Sequence, residues 1–171
     1  MLRLLTETAA DAPEVEALYD LAFAPGRGAL SAYTLREGVA PVAELCRIAR
    51  DEYDAVVAAI RYWPVRIGGA GHAALLLGPI AVHPTRQGEG LGRLLIEETL
   101  GEAGRHGWAR VILVGDEPYY RRFGFRRDLA TKLDFPKPVN LARLLVRPLY
   151  PDAMDGISGA VRRWETASDA D

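Results

Sequence analysis

Residues 82–95, VHPTRQGEGLGRLL, pass from an apolar strand through a glycine-rich turn into the start of a helix. Glycines at positions 88, 90 and 92 let the backbone approach an anion without hindrance from a Cβ atom, and the free amides of a helix N-terminus bind anions. An ordinary strand-to-helix loop is the simpler interpretation. It does not explain three glycines at alternate positions where each weakens the helix. The segment therefore predicts a phosphate-binding cradle.

The composition of the chain is typical of one globular domain over residues 1–171. Of the 171 residues, 49% are hydrophobic and 26% are charged, and each apolar run is interrupted well before it reaches the roughly 20 residues of a membrane helix. The formal net charge of -2 argues against nucleic acid or an anionic membrane as the main partner. The single cysteine, Cys46, excludes an intramolecular disulfide, and the N-terminal residues lack the apolar segment of a signal peptide. We therefore expect a cytoplasmic protein.

The sequence on either side of the cradle predicts a parallel strand-helix-strand unit. Residues 73–82 form a nearly continuous apolar run, typical of a strand at the centre of a sheet, and residues 91–103 predict a helix. The apolar run 110–115 predicts the parallel partner strand. Within the first strand, Gly78 has no side chain to pack and Pro79 has no amide to donate, so regular pairing should fail there. A plain bulge explains these two residues equally well, but their position just before the cradle favours a functional role.

The rest of the chain predicts further strands and two N-terminal helices. Strands are expected at residues 2–5, 42–49, 55–62 and 141–149, and the second and third of these form a hairpin. Pro64 implies an edge, a bulge or the end of pairing. Asp11 with Pro13 should begin one helix, and Ser31 should cap a short second helix that runs through Glu37.

Two segments are expected to be poorly ordered. Residues 24–30 contain Pro, Gly and Arg and predict a mobile loop that suits a lid over an acceptor. The tail, from about residue 165 to 171, is polar and is expected to be disordered.

Two common nucleotide-binding motifs do not fit the cradle. A dinucleotide-binding turn requires G-x-G-x-x-G spacing, and a P-loop requires Lys-Ser or Lys-Thr after its last glycine. The pattern Gln87-x-x-Gly90-x-Gly92, preceded by Val82 and Pro84, instead closely resembles the acyl-CoA pyrophosphate loop of the GNAT superfamily of N-acetyltransferases.

A second motif extends this resemblance beyond the loop. Residues 120–125, YRRFGF, resemble the Y-x-x-x-G-F segment that follows the fifth strand in the GNAT superfamily. The segments LGPIAV (77–82), VGDEPYY (114–120) and GISGAVR (156–162) further resemble a bacterial subgroup of predicted acetyltransferases. The resemblance implies a GNAT-like α/β fold with a mixed central sheet, splayed at its middle parallel strands and flanked by helices.

The resemblance also implies acetyl-CoA as the cosubstrate and specific residues that bind it. Backbone groups of Ile80, Ala81 and Val82 would pair with the pantetheine amides where the strands splay. The pyrophosphate would be bound by the amides of the cradle, which are those of Gln87, Gly88, Glu89, Gly90, Leu91, Gly92 and Arg93. The side chains of Arg86 and Arg93 either add positive charge to this site or are solvated surface groups.

The same resemblance makes Tyr120 the candidate general acid, because it lies at the family's tyrosine position, four residues before Gly124. Attack of an amine on a thioester needs a proton donor for the departing thiolate, and a phenol with an ordinary pKa of about 10 is protonated at neutral pH. Tyr119, the residue before Tyr120, is also a tyrosine. Adjacent helical residues point about 100° apart, so we expect only one of the pair to face the cofactor. Packing on the sheet is the other interpretation of Tyr120.

No residue is singled out as the general base. Asp116 and Glu117 follow the strand at 110–115, but both are also typical carboxylates of a helix start, and we favour that role. Glu44 on the second strand, or a chain of water molecules, is an equal candidate.

Neither a metal nor a covalent intermediate is expected. His72, His83 and His106 lack metal-ligand spacing, and Cys46 fits a core position better than a nucleophilic one. We predict an N-acetyltransferase whose unidentified acceptor is an amine of a small molecule or peptide. A non-catalytic acyl-CoA-binding regulatory module is the main alternative, and a protein-interaction domain is a third. The fold is compatible with a homodimer, although the sequence identifies no interface.

Overall fold

The computed structural model describes residues 1–23 and 31–165 and is built on a mixed β-sheet. Helices α1 to α4 span Ala12–Ala22, Ser31–Thr34, Leu91–Arg105 and Glu117–Tyr120. Strands β1 to β8 span Arg3–Thr6, Arg47–Arg50, Val56–Ile67, His72–Val82, Arg110–Val114, Leu133–Asp134, Leu144–Pro148 and Gly159–Arg163. The order in the main sheet is β1-β2-β3-β4-β5-β7, while β8 pairs with β3 and with β6.

Helices α1 and α3 cover opposite faces of this sheet, because successive side chains of β3 point to opposite sides. Ala59 of β3 packs with the buried face of α1, whereas Ala58 and Ile60 pack with α3. The buried residues of α3 are Leu91, Leu95, Ile96, Thr99, Leu100 and Ala103. This packing fixes the N-terminus of α3 beside the end of β4, where residues 82–95 make their turn.

Strand β4 is the central strand, and its pairing with β3 is interrupted at Gly78 and Pro79, as the sequence predicted. Leu77 pairs with Tyr62 and Ile80 pairs with Ile60, so two residues of β4 oppose one residue of β3. Such a two-against-one count is a β-bulge, which bends the strand locally.

The splay between the parallel middle strands is confirmed. Strands β4 and β5 pair in parallel at Leu75 with Val111 and at Leu76 with Ile112, and β4 then continues to Val82 without β5 beside it. On its other side β5 pairs antiparallel with β7 along its full length. The edge of β4 that faces β5 is therefore open from the bulge to the cradle.

The remaining predictions were correct in kind and differ in their bounds. Residues 43–45 form a 3-10 turn, so β2 begins only at Arg47, and the expected strand at 141–149 narrows to β7. Pro64 does not end β3. It pairs with Leu75 of β4 and lies between Ile60, where pairing with β2 stops, and Val65, where pairing with β8 starts, so the edge of β3 that faces away from β4 has no neighbouring strand at this position.

Some predictions concern residues that the structure does not describe. The expected lid at 24–30 and the tail beyond residue 165 lie outside the described residues, as does any cap formed by the Ser31 side chain. The short helix α2 ends at Thr34 rather than at Glu37. In the described ranges, none of the helices is both long and apolar enough to cross a membrane.

Candidate functional site

The turn between β4 and α3 is an open backbone surface. Gly88 and Gly90 have positive φ values of 85° and 80°, and a Cβ atom at either position would meet nothing within 4 Å. Gly90 is the N-cap of α3, and the Leu94 N–H donates to its carbonyl at 3.0 Å. The N–H groups of residues 91–93 precede this first bond, so they have no acceptor within the helix. The turn therefore presents backbone donors to an anion.

The charged side chains around this turn are already paired. Arg86 Nη2 lies 3.1 Å from a carboxylate oxygen of Asp51, and Arg86 Nη1 lies 3.4 Å from Glu89. Arg93 Nε lies 2.9 Å from Glu97 on the exposed side of α3. These pairs favour the surface interpretation of both arginines, and they leave the backbone as the main source of positive potential in the cradle.

The end of β4 presents its backbone groups alternately to β3 and to the open side. His83 donates its N–H to β3 at 2.8 Å, and the register continues regularly back to Ile80. Since bonded and non-bonded pairs alternate in an antiparallel ladder, Ala81 bonds to β3 while Ile80 and Val82 direct their groups to the opening. This differs from the expectation that all three residues offer backbone groups. Gln87 Nε2 donates to the Val82 carbonyl at 3.0 Å, which leaves the Val82 N–H and both groups of Ile80.

A cavity of about 780 Å³ opens where β4 and β5 separate. Residues 76–80 of β4 form one wall, and residues 113–116, with Tyr119 and Tyr120, form the opposite wall. Phe23 at the end of α1, the α2 region and segment 138–143 complete the lining. The cavity thus continues the open edge of β4 away from the cradle.

Tyr120 contributes to the β5 wall of this cavity. Gly115 leaves room for its ring, because a Cβ atom on Gly115 would lie 2.6 Å from Tyr120 Cε2. Burial, with a smaller contribution from Tyr119, raises the pKa of Tyr120 to about 12. The phenol therefore remains protonated at neutral and moderately alkaline pH.

Tyr119 also lines the cavity, so the expectation that only one of the two tyrosines faces the site is wrong. The two rings meet edge to face with centroids 4.9 Å apart, and the Tyr119 hydroxyl approaches the position of a Cβ on Gly92 at 3.5 Å. Helix α4 is a single turn at the mouth of the cavity. The side chains of Tyr119 and Tyr120 leave this turn about 100° apart, and both therefore contact the concave surface of the cavity.

Sequence reasoning missed the side chains that support the β4 wall. Trp63 Nε1 donates to the Gly78 carbonyl at 2.8 Å, and the Tyr19 hydroxyl donates to the Pro79 carbonyl at 3.1 Å. The carbonyls that the bulge withdraws from the ladder are thus bound by β3 and α1. Arg36 lies over the same bulge, with Nη2 3.3 Å from the position of a Cβ on Gly78. No local pattern marks these residues, because they meet only in the folded chain.

The carboxylates considered as bases lie in different surroundings. Asp116, at the start of α4, lines the cavity. Glu117, in the first turn of α4, accepts the backbone N–H of Arg127 and lies 3.7 Å from Arg121. Glu44 is exposed in the 3-10 turn before β2 and is absent from the described cavity lining, so its expected place on a strand facing the acceptor is wrong.

Cys46 is a core residue, as the sequence predicted. Its Sγ lies 3.4 Å from the Val42 carbonyl, and burial raises the pKa of the thiol to about 11, which disfavours the thiolate. His83 and His106 bond to nearby side chains. Within residues 1–23 and 31–165, no three side chains of His, Cys, Asp or Glu form a group that could hold a metal ion.

Comparisons of the sequence identify a family and a similar protein. A family model described as an acetyltransferase (GNAT) domain matches residues 43–127, which include the bulge, the cradle and Tyr120. The uncharacterized N-acetyltransferase YhbS of Escherichia coli K12 is 30% identical over 155 residues, which are 91% of this chain and 92% of that protein.

Two solved structures of high similarity have a ligand. The GNAT family N-acetyltransferase YhbS from Escherichia coli, in complex with CoA, superposes with a TM-score of 0.81 at 30% identity, covering 96% of this chain and 89% of that one. A GNAT family acetyltransferase from Brucella melitensis, in complex with acetyl-CoA, gives a TM-score of 0.70 at 29% identity, and the match covers 99% of each chain.

Proposed function

Because the chain belongs to the GNAT family of N-acetyltransferases, we propose that it transfers the acetyl group of acetyl-CoA to a primary amine by direct attack. One observation carries the proposal. The cradle, the open edge of β4 and the cavity that contains Tyr120 follow one another along a single strand. This order matches the order of pyrophosphate, pantetheine and thioester in the cosubstrate.

The cradle would bind the pyrophosphate through backbone donors. The open N–H groups of residues 91–93 and the left-handed glycines before them offer a concave surface at the positive end of α3. The pantetheine amides would then bond to both backbone groups of Ile80 and to the Val82 N–H. This pairing extends the sheet with ligand where β5 has turned away.

The thioester would lie in the cavity, beside Tyr120. The neutral amine attacks the carbonyl carbon, a C–N bond forms and the C–S bond breaks. Tyr120 donates its proton to the departing sulfur, the attacking nitrogen loses one proton to water as the amide forms, and a proton from solvent restores the phenol. The phenol holds its proton at neutral pH, so the proton is present when the sulfur leaves.

The acceptor must also lose a proton before or during the attack. Asp116 is the acidic residue among the described residues that line the cavity, and the cavity is open to water. Either can take the proton of an incoming ammonium group, so a dedicated buried base is not required.

A direct test is the release of free CoA thiol from acetyl-CoA by the purified protein, measured across polyamines, amino acids, aminoglycosides and peptide N-termini. We expect thiol release that depends on one class of amine, with the acetylated amine identified by mass spectrometry. Tight binding of acetyl-CoA without an acetylated product for any amine would contradict the transfer reaction and favour a regulatory CoA-binding module. A lack of any CoA-dependent thermal shift would favour an interaction domain.

A further inference from the structure

The β4 wall of the cavity carries a cation that the transfer reaction does not use. Arg36 is half-buried in the segment after α2, and its guanidinium carbon lies 4.2 Å from the centroid of the Tyr33 ring and 5.6 Å from that of Trp63. Trp63 is itself held by its bond to the Gly78 carbonyl. These contacts, together with a side-chain hydrogen bond to Tyr33, hold the guanidinium against the bulge, where Arg36 lines the cavity.

Two guanidinium nitrogens of Arg36, Nε and Nη1, are buried and have no hydrogen-bond partner in the described part of the chain. Arg61 shows the usual arrangement in the same protein. Its Nε and Nη2 bond to Glu7 at 3.0 and 2.9 Å. A buried cation without a counter-charge is unfavourable, and burial accordingly lowers the pKa of Arg36. An anionic ligand group in the cavity would supply a counter-charge for Arg36.

The other charged groups of the cavity lie on the β5 side, opposite Arg36, and include a second cation. Arg143 contributes a second guanidinium to the lining, and its Nε donates to the Gly115 carbonyl at 3.3 Å. Asp116 is on the opposite wall, at the start of α4. Two arginines and one carboxylate leave the described lining with an excess of positive charge, which does not suit an acceptor that carries only amines.

We propose that the acceptor amine carries a carboxylate, as a free amino acid does, and that the Arg36 guanidinium binds this carboxylate in the cavity. The inference rests on the proposed transfer reaction. The Arg36 guanidinium carries the positive charge that a carboxylate requires, and holding the carboxylate beside it would keep the amine of the same molecule within the cavity that contains Tyr120. Arg36 would therefore determine specificity rather than take part in the chemical step.

Matched acceptors test this assignment. L-leucine, L-leucinamide and 3-methylbutylamine differ at the carboxylate, and L-phenylalanine, its amide and 2-phenylethylamine form a second set. We expect the wild type to prefer the acids in kcat/KM, after correction for the fraction of neutral amine. In Arg36→Gln this preference should fall by about 10- to 100-fold, mainly through KM, while the carboxylate-free amines change less than about threefold.

Two further variants distinguish recognition of the carboxylate from a folding defect and from a long-range effect of the removed charge. Arg36→Lys keeps the positive charge but replaces the planar guanidinium with an ammonium group. It should restore part of the preference that Arg36→Gln loses. Arg105→Gln removes the same charge from an exposed site at the end of α3 and should leave the preference unchanged. CoA affinity, measured by calorimetry, reports that each variant is folded.

Equal use of acids and carboxylate-free amines by the wild type would overturn the assignment while leaving the transfer reaction intact. An equal loss for both kinds of acceptor in Arg36→Gln would also overturn it, because that is the result of a structural role. If no acceptor is acetylated, the assignment is tested by titrating the two amino acids into the complex of the protein with CoA. Binding that depends on the carboxylate and is lost in Arg36→Gln supports the assignment, and its absence contradicts it.

Discussion

The cradle and the cavity adjoin the same open edge of β4, yet the chain builds them in opposite ways. The cradle is one continuous segment, in which backbone donors and two left-handed glycines form the surface. The cavity brings together Phe23 after α1, the α2 region, β4, the β5–α4 segment and residues 138–143. A local segment thus suits the part of a cosubstrate that is common to all acyl-CoA molecules, whereas distant segments shape the part that differs among acceptors.

The largest effect is expected for Gly90→Glu, which tests the cradle. The new residue must adopt a φ of 80°, and its carboxylate would occupy the open space in front of the α3 amides. We expect CoA affinity to fall by more than about 1000-fold, because the phosphate loses its backbone donors and meets a like charge. Isothermal titration of CoA provides the measurement.

Gly156→Glu is the matched control for backbone strain. Gly156 also has a positive φ, of 73°, and open space around its Cβ position, but it lies in the exposed turn before β8. Both changes should cost about 1–2 kcal/mol of folding free energy, and Gly156→Glu should retain native CoA affinity. Native affinity in Gly90→Glu would contradict the assignment of the cradle.

A smaller effect is expected for Gly115→Ala, which tests the cavity. The added Cβ would lie 2.6 Å from the Tyr120 ring, so the ring must move. We expect kcat to fall about tenfold or more and the free energy of unfolding to fall by about 1–3 kcal/mol, with CoA affinity little changed. Gly104→Ala, whose Cβ would meet nothing within 4 Å on α3, serves as the control. Native kcat in Gly115→Ala would show that the position of the ring is unimportant.

The smallest effect is expected for Gly92→Ala. Although the sequence groups Gly92 with the other cradle glycines, it lies inside α3, and its Cβ would make ordinary contacts with Tyr119 Oη at 3.5 Å and Val82 Cγ2 at 3.6 Å. We expect CoA affinity within about threefold of the wild type and a stability gain of up to about 1 kcal/mol. A loss as large as in Gly90→Glu would mean that the cradle needs all three glycines.

The contrast between a cradle made of one segment and a cavity made of distant segments explains which features the sequence predicted. An open glycine turn at Gly88 and Gly90, the free amides of α3 and the interrupted pairing at Gly78 follow from residue types and spacing within a few positions, so the sequence predicted them. The central strand and the splay followed from apolar patterning together with the family resemblance.

Long-range contacts account for what was missed. Arg36 meets Trp63 only after α2 folds against β3 and β4, and no periodicity in the sequence indicates that contact. The pairing of Arg86 with Asp51 likewise joins residues 35 positions apart. Glu44 was misplaced because an apolar stretch hid a 3-10 turn. The exclusion of Tyr119 failed because a helix of one turn at a concave surface does not bury one side only.

The pH dependence of turnover tests whether Tyr120 acts in its protonated form. A phenol with an ordinary pKa would lose its proton, and with it its acid function, above about pH 10. Because burial raises the pKa of Tyr120 to about 12, we expect turnover at saturating substrates to hold until about pH 11 and to fall only above it. A fall centred near pH 10 would mean that the site does not hold the phenol in its protonated form.

The central claim is that the cradle binds the cosubstrate while Tyr120, in the cavity, serves the transfer step, and Tyr120→Phe tests it most directly. The change removes one hydroxyl and keeps the ring beside Gly115. We predict that kcat, measured as thiol release at saturating acetyl-CoA and amine, falls about 100-fold, while CoA affinity stays within about threefold of the wild type. Unchanged kcat, or a loss that follows CoA affinity alone, would contradict the claim.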